Sequence, residues 1–319
     1  MGKVILFGEP MALLISETTG TLENAKRFSR SMSGAEVNVA IGLTRLGHSV
    51  SYLTRLGNDP FGHYIEDSLR INNINTDCIS YDNQYKTGIQ LKNRVSNGSD
   101  PLVSYYRKGS AASHINSEQV NEIDLNGVDL IHVTGIPAAL SKSARKATYR
   151  LIERAKENGI YVTFDPNLRP SLWSNEEEMI YVINDIARYV DMILPGISEC
   201  KILTGTDDLY EAAKFYQNLG VKTVIIKNGK QGAYIKDNVN SYYVKGYPVS
   251  KVVDTVGAGD GFAVGVISGK LEGLDLTDMV KRGTAIGAIQ VMNVGDNEGL
   301  PNKAELESFM EEKQKIGSK

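Results

Sequence analysis

Cysteine is nearly absent from this chain: its 319 residues include two, Cys78 and Cys200, far apart and in no CxxC pair. That excludes a disulfide framework and a thiolate zinc site. The four histidines, His48, His63, His114 and His132, form no HxxxH or HExxH pairing, so the sequence points to no protein-borne transition metal. Long apolar runs are missing too, since no stretch approaches the roughly 18 residues of a membrane span. The opening MGKVILFGEPMALLI is broken by Glu9 and Pro10 and lacks a cleavage pattern, which makes it a first strand and not a signal peptide. Nor does charge of one sign dominate. With 35 Lys and Arg against 38 Asp and Glu, the net charge is −3, and no basic field invites nucleic acid or an anionic membrane. The expectation is a cytoplasmic protein with neither partner.

What is present is an ordinary globular composition, 41% hydrophobic and 23% charged, which rules out disorder. A chain of this length is expected to form one large domain over 1–319 that buries roughly 75% of its unfolded surface. Strand-like segments at Lys3–Gly8 and Ala12–Ser16 open it, followed by a helix Glu36–Gly47, a strand Ser49–Thr54 and a helix Pro60–Asn72 with Asp59 as N-cap. After Leu125 the rhythm is regular. Strands at Val128–Thr134, Ile160–Phe164, Asp191–Leu194 and Thr223–Lys227 alternate with helices at Ser141–Asn158, Glu176–Arg188, Ser198–Leu203 and Asp208–Leu219. A hairpin from Tyr234 to Val244 and helices near Gly259–Glu272 and Asp278–Met292 complete it. This alternation predicts an α/β fold with a mostly parallel central sheet covered by helices on both faces. The β-rich stretches near 10–33 and 84–112, the latter with NGSDP as a hairpin connection, do not fit that layer and predict a small sheet beside it.

The most informative stretch is VVDTVGAGDGFAVGVISGKLEG, residues 252–273. Val252–Val253 ends a strand-like run, Gly257, Ala258 and Gly259 make a tight turn, and a helix follows. Free backbone N–H groups and a positive dipole end then aim at one point, which is an anion site. Asp260 inside the turn repels a phosphate and is wrong for passive binding. It makes sense as a proton acceptor that the helix dipole keeps ionised at neutral pH, while the amides of Gly257, Ala258 and Gly259 hold the moving phosphoryl group. No GxxxxGK[ST] occurs, and the dinucleotide fingerprint is in the wrong place. Kinase chemistry is the reading that remains.

GAGDGF preceded by DTV, with SGAEVNVA at 33–40 and LTRLGNDPFG at 53–62, resembles the ribokinase-like (PfkB) family of sugar kinases over nearly the whole chain. YYRKGSA at 105–111 and DPNLRPSLW at 165–173 are similar to the 2-keto-3-deoxygluconate kinases within it, with fructokinases next. The resemblance implies a ribokinase-like fold in which the small sheet is a lid over the substrate. It implies ATP-dependent phosphorylation of 2-keto-3-deoxy-D-gluconate at its terminal hydroxyl, with ATP and Mg²⁺ as cofactors. A non-catalytic sugar or nucleotide sensor, the reading from a different class, would have no use for Asp260.

Residue by residue, the resemblance assigns the sugar to Gly34, Asn38, Gln90, Tyr105, Arg107, Arg169, Asp260 and Asp296. Tyr105 and Arg107 lie two apart on a strand and share a face, while Tyr106 points the other way into packing. A guanidinium beside a tyrosine suits a carboxylated, hydroxylated substrate. Arg169 lies within reach of the same carboxylate, and Asp165 caps its turn. Nucleotide binding is assigned to Asn167, Arg169, Lys227, Gly229, Gly232, Gly257 and Gly259. Glu199 is the expected water-mediated Mg²⁺ contact, with Gly196 where relatives carry asparagine. Asp254 and Thr255 mark where relatives hold a monovalent cation such as K⁺. Gln90 stands where some relatives carry tyrosine. Pairing of lids between copies implies a homo-oligomer.

Overall fold

Side chains alternate across a strand, and the first strand, β1 (Lys3–Phe7), is apolar at every position from Val4 onward. Val4 and Leu6 enter one buried layer, and Ile5 and Phe7 enter another. Such a strand belongs inside a sheet covered on both faces. The structure, a computed structural model, describes residues 1–95 and 101–317. In chain order the remaining strands are β2 (Met11–Thr19), β3 (Phe28–Ser33), β4 (Ser49–Gly57), β5 (Ile79–Asp82), β6 (Ile89–Arg94) and β7 (Val103–Tyr106). They continue with β8 (Leu130–Thr134), β9 (Tyr161–Asp165), β10 (Met192–Ile193), β11 (Thr223–Lys227), β12 (Gly232–Lys236) and β13 (Ser241–Lys245).

Among the described residues, nine strands form one sheet in the order β13-β12-β11-β10-β9-β8-β1-β4-β5. Pairing is parallel from β5 through β11 and antiparallel in the terminal hairpin. Helices Lys142–Glu157, Glu176–Ala187, Ile197–Thr204 and Leu209–Asn218 bury their apolar stripes on one face. Helices Ala35–Arg45, Pro60–Ile71, Ala258–Leu271 and Leu276–Val291 cover the other. This is the doubly covered α/β sheet that the rhythm of the sequence predicts. The chain leaves β1 toward β4 on one side and returns to its other side as β8. The crevice outside the carboxyl ends of such diverging strands is where open α/β sheets place ligands.

Four strands lie outside this layer in a second sheet, ordered β3-β2-β6-β7. They fall within the two β-rich stretches of the sequence. Gln90 on β6 pairs directly with Tyr105 on β7. The NGSDP connection falls on residues 97–101 and, Pro101 apart, lies outside the described residues, as do Ser318 and Lys319.

Two local expectations are corrected. Val252 and Val253 are not in a strand. They are 56% and 41% exposed, and the Val253 N–H donates to Val291 O at 2.7 Å. The sheet ends at β13, so this apolar pair finds no neighbouring strand and leans on a helix end instead. Tyr106 points away from Tyr105 as alternation requires, but it is 65% exposed rather than packed, because the outer face of the second sheet has no covering layer.

Asp59 caps helix Pro60–Ile71 as expected and also ties it to the entrance of the second sheet. One carboxylate oxygen accepts from Phe61 N at 3.0 Å and Gly62 N at 2.9 Å, and the other accepts from Thr87 N at 2.9 Å. Burial opposes the charge, yet these N–H donors hold the carboxyl below its ordinary value. Replacement of Asp59 by alanine should cost about 2 kcal/mol at neutral pH, as lost caps and charge-assisted bonds do. A depressed carboxyl pKa stabilises the fold above the unfolded value and loses that contribution as pH falls through the folded one. The urea midpoints of the two proteins should therefore draw together as pH falls below about 4. A gap that does not narrow between pH 7 and pH 3 would contradict this account.

Candidate active site

Gly257 starts the decisive helix. Its φ of +76° is left-handed, and a Cβ there would lie 2.2 Å from Asp296 O. Only glycine allows the 254–257 segment and the loop at Asp296 to meet so closely. Gln290 ties the same two loops, donating through Nε2 to Gly295 O at 2.8 Å and Val256 O at 3.4 Å. Ala258, Gly259 and Asp260 then form the first turn, whose amides have no carbonyl one turn earlier to bond. The Ala258 amide turns back to Thr255 O at 3.4 Å, a bond long enough to be exchanged for a phosphate oxygen.

Asp260 sits in this turn and accepts from Asn38 Nδ2 at 2.8 Å, while Asn38 Oδ1 accepts from Asn297 Nδ2 at 3.2 Å. Asn38 therefore orients Asp260 with one N–H of its amide, and it also lines the cleft. Burial pushes the Asp260 carboxyl up to about 7, opposed by the Asn38 bond and by Arg169 and Lys227, and reinforced by Asp165. Burial thus works against the ionisation expected of this group and brings its titration close to neutral pH.

A cleft of about 730 Å³ opens in front of Asp260. The second sheet lines one wall with Gln90, Lys92, Tyr105 and Arg107, and Gly34, Asn38, Asn167 and Arg169 line the other. A second cavity of about 450 Å³, mostly apolar, is lined by Gly229, Gly232, Tyr247, Phe262, Ala288 and Val291. The two share Lys227, Thr255 and Gly259. They meet at the helix N-terminus, so a polar ligand in one and a flat apolar ring system in the other would both reach its amides.

Three of the four cations that line the cleft have a carboxylate partner. Arg107 is buried and donates through Nε to Glu9 at 2.6 Å, and Ser110 Oγ donates to the other Glu9 oxygen. Lys227 Nζ reaches Asp165 at 2.5 Å, and Asp165 also accepts from Asn167 N at 3.2 Å, the expected turn cap. Burial opposes the Lys227 charge, but Asp165 and Glu199 hold its ammonium above the ordinary value. Asp296 accepts from Lys92 Nζ and Ser33 Oγ, both at 3.1 Å. Arg169 lies two residues past Asn167, whose left-handed φ of 41° bends the loop, and it donates to Leu168 O at 2.9 Å. Among the described residues Arg169 is the one cation of the cleft without a carboxylate partner.

Asn167 and Arg169 line the first cleft, together with Gly257, Gly259 and Lys227 of the anion site. Glu199 accepts from Gly196 N at 2.7 Å and Leu168 N at 2.8 Å. One oxygen thus holds the Arg169 loop and the other the start of its own helix, and each keeps a second lone pair. Asp254 is also engaged, accepting from Val256 N at 3.0 Å and Gly295 N at 3.3 Å.

Sequence reasoning missed Glu9, Ser33, Glu36 and Lys92. Glu36 lies within the motif GAEVN, is fully buried, accepts from Thr134 Oγ1, and leaves Oε2 unpartnered. Burial raises its carboxyl to about 7, against the Thr134 bond and the attraction of Arg107 and Arg169. Lys92 was findable, because it lies two residues after Gln90 on one strand face. Glu9 was not, because its partner is 98 positions away.

If Asp260 is the proton acceptor, kcat/KM should rise with pH and level off above about 7, where the carboxyl is ionised. Asp260→Asn should keep nucleotide binding and lose roughly a hundredfold or more in turnover. A flat pH profile together with an active asparagine variant would remove Asp260 from that role.

The model of the pfkB family carbohydrate kinases matches residues 1–303. A 2-dehydro-3-deoxygluconokinase of Bacillus subtilis (strain 168) is 42% identical over 316 residues, covering 99% of this chain and 97% of the relative. The crystal structure of a PfkB protein from Polaromonas sp. JS666 superposes with a TM-score of 0.87 at 42% identity, covering 97% of this chain and 99% of the other. A fructokinase double mutant from Vibrio cholerae O395, in fructose-, ADP- and potassium-bound form, gives 0.85 at 26% identity, covering 97% and 98%. An acid in the first turn of a glycine-capped helix, between a polar cleft and an apolar cavity, is the arrangement a sugar kinase needs, and the chain belongs to the pfkB family of carbohydrate kinases.

Proposed function

We propose that the protein transfers the γ-phosphoryl group of ATP to the terminal hydroxyl of 2-keto-3-deoxy-D-gluconate, giving the 6-phosphate and ADP. The observation that carries the sugar acid is Arg169. Every other cation in the cleft faces a carboxylate of the protein, and this one faces backbone carbonyls and open space. A carboxylate entering the cleft finds one unspent guanidinium. The name of the Bacillus relative supports the same substrate.

The hydroxyl faces Asp260 and the γ-phosphate lies at the amides of Gly257, Ala258 and Gly259. The hydroxyl oxygen forms the new P–O bond, its proton passes to Asp260, and the bond to the β-phosphate bridging oxygen breaks with its electrons leaving on ADP. Positioning and charge stabilisation supply most of the rate in such transfers. Lys227, held above its ordinary pKa and so charged, lines both cavities at the junction where negative charge moves. Mg²⁺ carried by the phosphates of ATP neutralises their charge. The adenine ring lies in the apolar cavity, where Gly229 and Gly232 let the backbone approach. Gln90, Tyr105 and Asp296 address the sugar hydroxyls, and Gly34, with φ +147° and a would-be Cβ 3.0 Å from Glu9 O, keeps the wall thin. The second sheet acts as the lid.

Arg107 contributes less than its neighbourhood to YY suggests, because Glu9 takes its Nε and Nη2 faces. The test is an ADP-release comparison of 2-keto-3-deoxygluconate with fructose. The wild type should prefer the acid by about tenfold or more in kcat/KM, a difference of about 1.4 kcal/mol. Arg169→Ala should erase most of that preference, through KM for the acid. A preference for fructose, or one indifferent to Arg169, would overturn the assignment.

The same reading extends to assembly. Leu102 and Tyr106, 66% and 65% exposed, stand on the uncovered face of the second sheet, and we assign that face to pairing with another copy. Light scattering should give a multiple of the 34.9 kDa chain mass; a monomer at micromolar concentration would refute it.

A further inference from the structure

The ammonium of Lys92 is brought by the second sheet to two carboxylates belonging to the loops behind the anion site. Nζ lies 3.1 Å from Asp296 Oδ1 and 3.8 Å from Asp254 Oδ2. All three side chains are nearly closed off, at 10%, 8% and 14% exposure. Two carboxylates in so little water repel strongly unless a cation stands between them. They also sit where strain would be felt. Asp296 carries the carbonyl that packs on Gly257, and Asp254 Oδ1 accepts from Val256 N, directly before the glycine turn. If either loop moves away, the first-turn amides lose their aim.

We propose that Lys92 is the built-in counter-cation of this loop pair, doing from within the chain what a bound monovalent cation would otherwise have to do. The Asp254 carboxylate agrees with that reading rather than with a bound ion. Its oxygens already accept from Val256 N and Gly295 N and face Lys92. Lys92 is a positioning residue: it acts on Asp260 and the amides through Asp254 and Asp296. Because it rides on β6 two positions from Gln90, the charge arrives only when the second sheet stands over the cleft. Closure over the sugar and ordering of the phosphoryl site are then one event. The inference rests on the kinase reading, but its first test does not require turnover.

The experiment compares the full-length protein in potassium chloride and in choline chloride at equal ionic strength. Wild-type melting temperature without nucleotide, and kcat/KM with Mg-ATP and 2-keto-3-deoxygluconate, should both be the same in the two salts. Lys92→Met keeps the length and loses the charge. In choline it should drop kcat/KM by roughly tenfold or more, and potassium should restore at least severalfold of the loss and raise the melting temperature of this variant alone. Lys92→Arg should recover part of the activity in choline. A wild-type enzyme that itself needs potassium would overturn the proposal, and so would a Met variant whose defect potassium does not relieve. If the Met variant fails to fold, the wild-type salt comparison still decides. Absence of phosphorylation with every sugar would count against the kinase reading and leave the melting-temperature comparison to judge Lys92.

Discussion

One close contact governs the geometry of this protein: the left-handed Gly257 set against the carbonyl of Asp296. It brings the segment before the anion site and the loop after helix Leu276–Val291 to van der Waals distance. The first-turn amides, Asp260 and the acidic pair Asp254 and Asp296 all take their positions from it. A side chain at 257 would need φ > 0 and the space of a backbone oxygen at once, so the two constraints allow glycine alone.

Around that contact the site is built from strand ends. Glu9 follows β1, Thr134 and Asp165 end β8 and β9, and Lys227 ends β11. Parallel pairing lines these residues up along one edge of the sheet, so chain segments more than 200 residues apart converge without a long loop. The second sheet supplies the opposite wall. Gln90 and Lys92 on it, and Arg107 just after β7, are largely buried although they border a cleft; Lys92 pairs with Asp296 and Arg107 with Glu9.

The electrostatics follow one rule, that charges held out of water are paired. Arg107 with Glu9, Lys227 with Asp165 and Lys92 with Asp296 satisfy it. Three groups depart from it. Asp260 and Glu36 keep raised pKa values near neutrality because burial exceeds what their hydrogen bonds return. Arg169 keeps a guanidinium without a carboxylate partner. Departures from pairing mark where the chemistry of the ligand has to complete the site.

Much of this was legible in the sequence. Apolar runs at strand length alternating with helical periodicity determined the doubly covered sheet, since a strand buried on both faces is written mostly with apolar residues. GAGD determined the anion turn, because glycine freedom and an acid at a helix start are local properties. The capping role of Asp59 was likewise local. Tertiary structure decided the rest. It set Asn38 against Asp260, gave Arg107 to Glu9, placed backbone amides on both oxygens of Glu199, and left Val252–Val253 without a strand partner. It also brought Lys92 to Asp296, 204 positions away. Ion pairs and hydrogen bonds of that span depend on which elements the fold sets side by side, and no periodicity along the chain encodes that. Local propensity names the residues able to do chemistry; only packing decides which of them are already spent on one another.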